Sequence, residues 1–130
     1  MAVLDDMARI TAENADGTLR YFARADPETS ETEPLFVRED LEWTEERQGE
    51  VEGELMEAVA KESYEYMMDV DNVNQLIKVA DSKVLFTGFV DDEVAVATFD
   101  RGVFPHLPAM VGEFRSYLEA NDVEFIALDM

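Results

Sequence analysis

The chain of 130 residues contains no cysteine, which excludes disulfides, thiolate nucleophiles, zinc ribbons and cysteine-ligated iron–sulfur clusters. Histidine occurs once, at His106, and lysine three times, at Lys61, Lys78 and Lys83. No stretch approaches the ~20 consecutive apolar residues of a membrane-spanning helix. The opening Met1-Ala2-Val3-Leu4-Asp5-Asp6-Met7 has neither the basic nor the apolar region of a secretion signal. A cytoplasmic protein without membrane contact is expected. A Gly-x-Ser-x-Gly elbow, a Walker A loop and a Gly-x-Gly-x-x-Gly run are also missing, and the six glycines are scattered.

What the chain has in excess is acid. Asp and Glu number 31 against 10 Lys and Arg, so the net charge is 10 − 31 = −21 with histidine neutral. An apolar share of 47% still suffices for a core, so residues 1–130 are read as a single acidic domain. The carboxylates are spread along the whole chain and interleaved with core residues, which fits a solvated surface. Thermophile surfaces pair glutamate with abundant lysine, whereas this chain prefers arginine, as proteins of salt-in halophiles do. Molar salt shrinks the Debye length to ~3 Å and removes the repulsion that so many carboxylates create in dilute buffer. The competing reading is a nucleic-acid-mimicking acidic inhibitor, which would need a linear carboxylate array instead of dispersed charge.

Leu4, Met7, Ala8 and Thr11 lie at helical spacing and predict a first helix over residues 2–14, stopped by Asn14-Ala15-Asp16-Gly17. Residues 18–25 alternate Leu19, Tyr21 and Ala23 against Arg20, Phe22 and Arg24, the period of a strand. An exposed loop over 26–34, with two prolines, leads into a second strand at Leu35-Phe36-Val37-Arg38. From Thr44 to Met67 one long helix is predicted, with Val51, Leu55, Ala58, Val59 and Tyr66 on its buried stripe. Gly49 and Gly53 either admit another backbone or delay the start of the regular helix, and the charged flanks favour delay. Residues 75–81 fit a strand or a helical turn. Lys83–Val90 and Glu93–Phe99 read as a hairpin through Asp91-Asp92, and the second of these is apolar on both faces, as a central strand is. Pro105 and Pro108 open a last helix, with Phe114 at the centre of a stripe made with Leu107, Met110, Val111 and Leu118. Asn121-Asp122 caps it, and residues 123–128 could add an edge strand.

Candidate chemistry is sparse. His106, alone at a helix entrance, reads as a capping or packing residue. Asp69-x-Asp71 opens like a calcium loop, but Val73 and Asn74 stand where such a loop needs a ligand and a glycine. The pairs Asp5/Asp6 and Asp91/Asp92 are what an acidic chain produces by chance. Arg20, Tyr21, Phe22, Arg24 and Arg38 form the one basic and aromatic group. It is too small to hold nucleic acid against a charge of −21, and pairing with Glu39 or Asp40 explains it. Trp43 is weighted to core over interface, and Met56, Met67 and Met68 to core or flexible packing. No catalytic, cofactor-binding or metal-ligating residue is assigned, and no cofactor is expected.

The order helix, strand, strand, long helix, strand, strand, strand, helix, with 75–81 taken as a strand, resembles the profilin-like architecture of roadblock and longin domains. The resemblance implies an α+β fold with an antiparallel sheet of about five strands flanked by helices. Pro34-Leu35-Phe36-Val37-Arg38-Glu39-Asp40-Leu41 and Asp100-Arg101-Gly102-Val103-Phe104 are similar to segments of small uncharacterised haloarchaeal acidic proteins, which implies a halophilic cytoplasm and no known chemistry. The expected function is a non-enzymatic regulatory or protein-interaction module, forming a homodimer and engaging an unidentified protein, without direct nucleic-acid binding. The alternatives are a small-molecule sensor with a pocket between sheet and helix, and an enzyme working with carboxylates alone.

Overall fold

The computed structural model describes residues 2–90 and 92–123. Helix α1 (Ala2–Asn14) precedes strands β1 (Leu19–Ala25) and β2 (Thr32–Val37). Helices α2 (Glu45–Val59) and α3 (Lys61–Met68) follow, then β3 (Gln75–Val79), β4 (Val84–Val90) and β5 (Glu93–Phe99). A 3-10 segment at Arg101–His106 runs into α4 (Leu107–Ala120). The strands form one antiparallel sheet in the order β2-β1-β5-β4-β3. This is the α+β, roadblock-like architecture that the element order implies.

β5 is the central strand, and its composition shows why. Val94 and Val96 enter the cluster that Val51 and Leu55 of α2 cover, while Ala95 and Ala97 face the cluster under α1 and α4. Each buried valine or leucine contributes ~1.5–3 kcal/mol relative to exposure. On the α1 side Leu4, Met7, Ala8 and Thr11 are all buried, as the helical spacing predicts. The turn at Asp16-Gly17, with both φ values positive, feeds β1.

Four expectations are corrected. β2 begins at Thr32, inside the stretch read as a loop, and Pro34 lies within it because an edge strand tolerates a residue without an N–H. The long helix is two: at Ala60 the chain breaks, and the second segment swings so that Glu65 accepts hydrogen bonds from Lys61 Nζ (2.6 Å) and the Val73 N–H (2.7 Å). Tyr66 consequently leaves the buried stripe and is 88% exposed. Gly49 and Gly53 sit inside a helix that already runs from Glu45, and a Cβ on either would touch nothing within 4 Å, so they neither delay the helix nor admit a backbone.

Residues 75–79 settle as a strand paired with β4. Leu107, Met110, Val111 and Leu118 are buried, but Phe114 is only half-buried. After α4, Asp122 adopts φ 53° and the Val123 N–H returns to the Leu118 carbonyl (3.1 Å), a left-handed cap at the predicted Asn121-Asp122. The expected edge strand over 123–128 lies outside the described residues from 124 on, as does Asp91 of the β4–β5 turn.

Candidate functional site

The two segments singled out in the sequence meet in space. Arg38, just past β2, donates from Nε to Asp40 (2.6 Å) and from Nη1 to Asp100 (2.5 Å) and the Gly17 carbonyl (3.0 Å). Arg20 of β1 approaches the other oxygen of Asp100 at 3.5 Å. Arg38 therefore ties the end of β2 across β1 to the end of β5, and its hydrogen bond holds the Asp40 carboxyl below the usual carboxylate range. Arg24 pairs with Glu33 and Glu93. The arginines of the basic and aromatic group are thus consumed by acidic neighbours, Asp40 among them: Arg20 and Arg38 clasp one end of the sheet, and Arg24 pairs at the other.

On the α2 face two lysines bind helix to sheet, and the third pairs within α3. Lys83 pairs with Glu50, Lys78 with Glu57 and with Glu54 (3.0 Å), and Lys61 with Glu65. Glu54 is 7% exposed and also accepts the Thr87 hydroxyl at 3.1 Å. Burial lowers the Lys78 pKa, but hydrogen bonds to Glu57 and Glu54 outweigh it and leave it raised. Tyr21, under α2, donates to Glu50 and meets Trp43 edge-on at 5.1 Å. Burial and the Glu50 charge push its hydroxyl pKa up. Trp43 itself is half-buried on this cluster, which agrees with its weighting to the core.

Beyond these lysines the surface turns apolar. Tyr64, Met67 and Met68 fall at i, i+3 and i+4 on α3, which buries no residue completely. Met67 and Met68 are 77% and 70% exposed, and Met56 of α2 is exposed as well, so of the expected core or flexible packing the core alternative is corrected. The Glu65–Val73 bond ties α3 to the segment entering β3, and on the other face of that strand, the side of Phe86, Ile77 and Val79 are exposed as well.

The edge of β3 is open in a way that β2 is not. The Phe89 N–H donates to the Asn74 carbonyl and the Ala80 N–H to that of Lys83. By antiparallel alternation the backbone groups of Leu76 and Lys78 then face β4, while those of Ile77 and Val79 point off the sheet. β2, at the opposite edge, carries Pro34 and a register shift against Phe22/Ala23, two devices that blunt an edge. The exposed methionines and the open edge were missed in the sequence because a helical stripe reads the same whether it faces a core or a partner.

His106 lies at the end of the 3-10 segment, 3.9 Å from Asp16, at the predicted helix entrance. Asp69 is the left-handed cap of α3. Among the described residues no three His, Asp or Glu side chains are grouped to hold a metal ion, and no helix is long and apolar enough to cross a membrane.

A family model described as "Domain of unknown function (DUF7522)" matches residues 5–119, so the chain belongs to that family. No curated protein matches it in sequence. Among solved structures it is similar to Myxococcus xanthus MglB, with a TM-score of 0.64 and 10% identity over 92% of this chain and 86% of that one. The gliding protein MglB from Thermus thermophilus gives the same score, identity and coverage of this chain, with 90% of its own length covered. A structure described as MglB with tetrameric arrangement has a TM-score of 0.63 and 10% identity, over 92% and 90% of the two chains. At that identity the likeness concerns the fold.

Proposed function

We propose that this member of the DUF7522 family is a non-enzymatic regulatory module that works as a homodimer in a cytoplasm of high salt, pairing through the β3 edge and the adjoining α3 stripe. The observation that carries the reading is the asymmetry of the two sheet edges: one is guarded by Pro34, while the other presents Ile77 and Val79 with their backbone groups pointing outward. A second copy of the same strand, related by a two-fold axis, satisfies those groups and joins two five-stranded sheets into one. Ile77 and Val79 of both copies then share the α4 face of the joined sheet, while Tyr64, Met67 and Met68 of α3 belong to the α2 side of the seam. Tyrosine and methionine are enriched at such interfaces.

The tetrameric arrangement described for one MglB structure supports association of this fold with itself. The dispersed −21 charge supports the high-salt setting, since repulsion between two such copies is strongest in dilute buffer. The surplus dimer surface is available to a further protein partner.

Sedimentation in molar KCl tests the proposal, using a variant chosen from the ladder geometry. Ile77→Pro removes a donor that points away from β4, so the internal pairing survives while the intermolecular one is lost. A dimeric parent and a folded monomeric Ile77→Pro chain are expected. A parent that stays monomeric at high concentration rejects the dimer, and a fully dimeric variant moves the interface away from β3.

A further inference from the structure

The sheet face under α1 and α4, on which Ile77 and Val79 also stand, carries a hollow of its own. Between α4 and strands β3 to β5 lies an apolar cleft of about 70 Å³, walled by Met7, Phe22, Phe86, Phe99, Met110 and Phe114. Its cause is legible in the strands. β5 alternates valine with alanine, and both alanines, Ala95 and Ala97, face α4. Gly88 stands directly opposite Ala95, and Phe86 opposite Ala97. Three small residues on adjacent strands thus leave a shallow floor under a helix whose buried side chains cannot descend to fill it. The half-buried state of Phe114, which helical spacing places at the centre of the stripe, follows from the same hollow.

The cleft is not built for water. The Thr11 hydroxyl at its wall donates to the Met7 carbonyl at 2.6 Å, and the Thr87 hydroxyl is engaged by Glu54 on the far side of the sheet. A water needs two to four polar partners, and apolar cavities without them stay dry and take apolar guests. The rim, by contrast, is half-exposed at Gln75, Phe86 and Phe114, so a guest can enter.

The geometry points to a binding site for an uncharged, short aliphatic molecule, its hydrocarbon end on the Ala95/Ala97 floor and its polar end at the rim. The volume sets the size: about half of the roughly 150 Å³ that accommodates benzene leaves room for three to four carbons. The absence of charge follows from the dry lining, which would strip the hydration from an ion, and a net −21 disfavours an anion further.

Methyl-labelled methionine reads the site directly. Met7 and Met110 line the cleft, whereas Met56, Met67 and Met68 are exposed elsewhere and serve as internal controls. Titration with isobutanol in molar KCl is expected to give saturable shifts at the Met7 and Met110 methyls alone. Isobutyrate, of the same carbon skeleton but charged, is expected to bind at least about tenfold more weakly. Ala97→Val and, separately, Ala95→Val raise the floor with a good strand former and should abolish the response while the melting temperature is kept. Linear, unsaturable shifts, equal responses at the exposed methionines, or isobutyrate matching isobutanol would overturn the assignment even if neither variant folded. A folded Ala97→Val chain that still responds would overturn it as well.

Discussion

Lys78→Met would separate Glu54 from the cation that compensates it. Glu54 has a side chain 8% exposed, and its partners are Lys78 Nζ at 3.0 Å and the Thr87 hydroxyl at 3.1 Å. Removing one partner of a fully buried ion pair costs ~3–5 kcal/mol, because the surviving charge remains desolvated. Here the lysine side chain is 40% exposed and also reaches Glu57, so solvent screens part of the interaction and the expected loss falls to about 1–2 kcal/mol. Glu54→Met added to Lys78→Met removes the orphaned carboxylate, and the double variant should recover most of that loss. Urea titration of the four proteins in molar KCl supplies the cycle. A Lys78→Met chain within about 0.3 kcal/mol of the parent, or a double variant no more stable than Lys78→Met, would refute the view that Glu54 is a desolvated charge held by Lys78.

Three further outcomes follow from the packing and the charge. Phe99→Ala, at 2% exposure and edge-on to Phe86, should cost ~3–5 kcal/mol, and Phe114→Ala at the cleft about half as much; the reverse order in denaturant titration would contradict the packing described for α4. The Glu65 carboxyl is held below its ordinary pKa by Lys61 and then by the Val73 N–H. Its stabilisation is therefore complete above ~4.3, the unfolded value, and is lost as pH falls through the depressed folded value. Amide exchange at Val73 should lose protection across that window in the parent and show no such step in Glu65→Ala. The melting temperature should rise between 0.1 M and molar KCl as the Debye length drops from ~10 Å to ~3 Å, and a flat response would remove the high-salt reading.

Periodicity carried most of the fold. The α1 stripe, the β4–β5 hairpin and the apolar-on-both-faces signature of β5 each follow from side chains choosing a side of a helix or sheet, and β5 duly lies at the centre. What failed were features decided by tertiary contacts. The break at Ala60 has no glycine or proline to announce it, and the segment beyond it is held by the long-range bond from the Val73 N–H to Glu65. Thr32-Glu33-Pro34 has one strand former and a proline yet extends as the outer strand of the sheet, where β1 supplies the pairing. Arg38 and Asp100 are 62 residues apart, and no spacing rule links them. The interaction surface was the least legible, because Tyr64, Met67 and Met68 have helical spacing whatever they face. Ile77 and Val79 acquire meaning only once β3 is known to be an edge.

A chain without cysteine permits the most direct test of the β3 pairing, since every disulfide formed must come from an introduced residue. Ile77→Cys, Val79→Cys and the double variant, each in molar KCl under mild oxidation, place thiols at the outward-facing positions, which a two-fold brings opposite their own copy or opposite one another with Cβ atoms ~4.5–5.5 Å apart. Glu33→Cys on the guarded β2 edge is the control. Rapid disulfide-linked dimer from position 77 or 79, with Glu33→Cys remaining monomeric, is the result expected of a two-fold β3 interface. Failure of the single and double β3 variants alike to cross-link, or cross-linking from Glu33→Cys at the same rate, would contradict it.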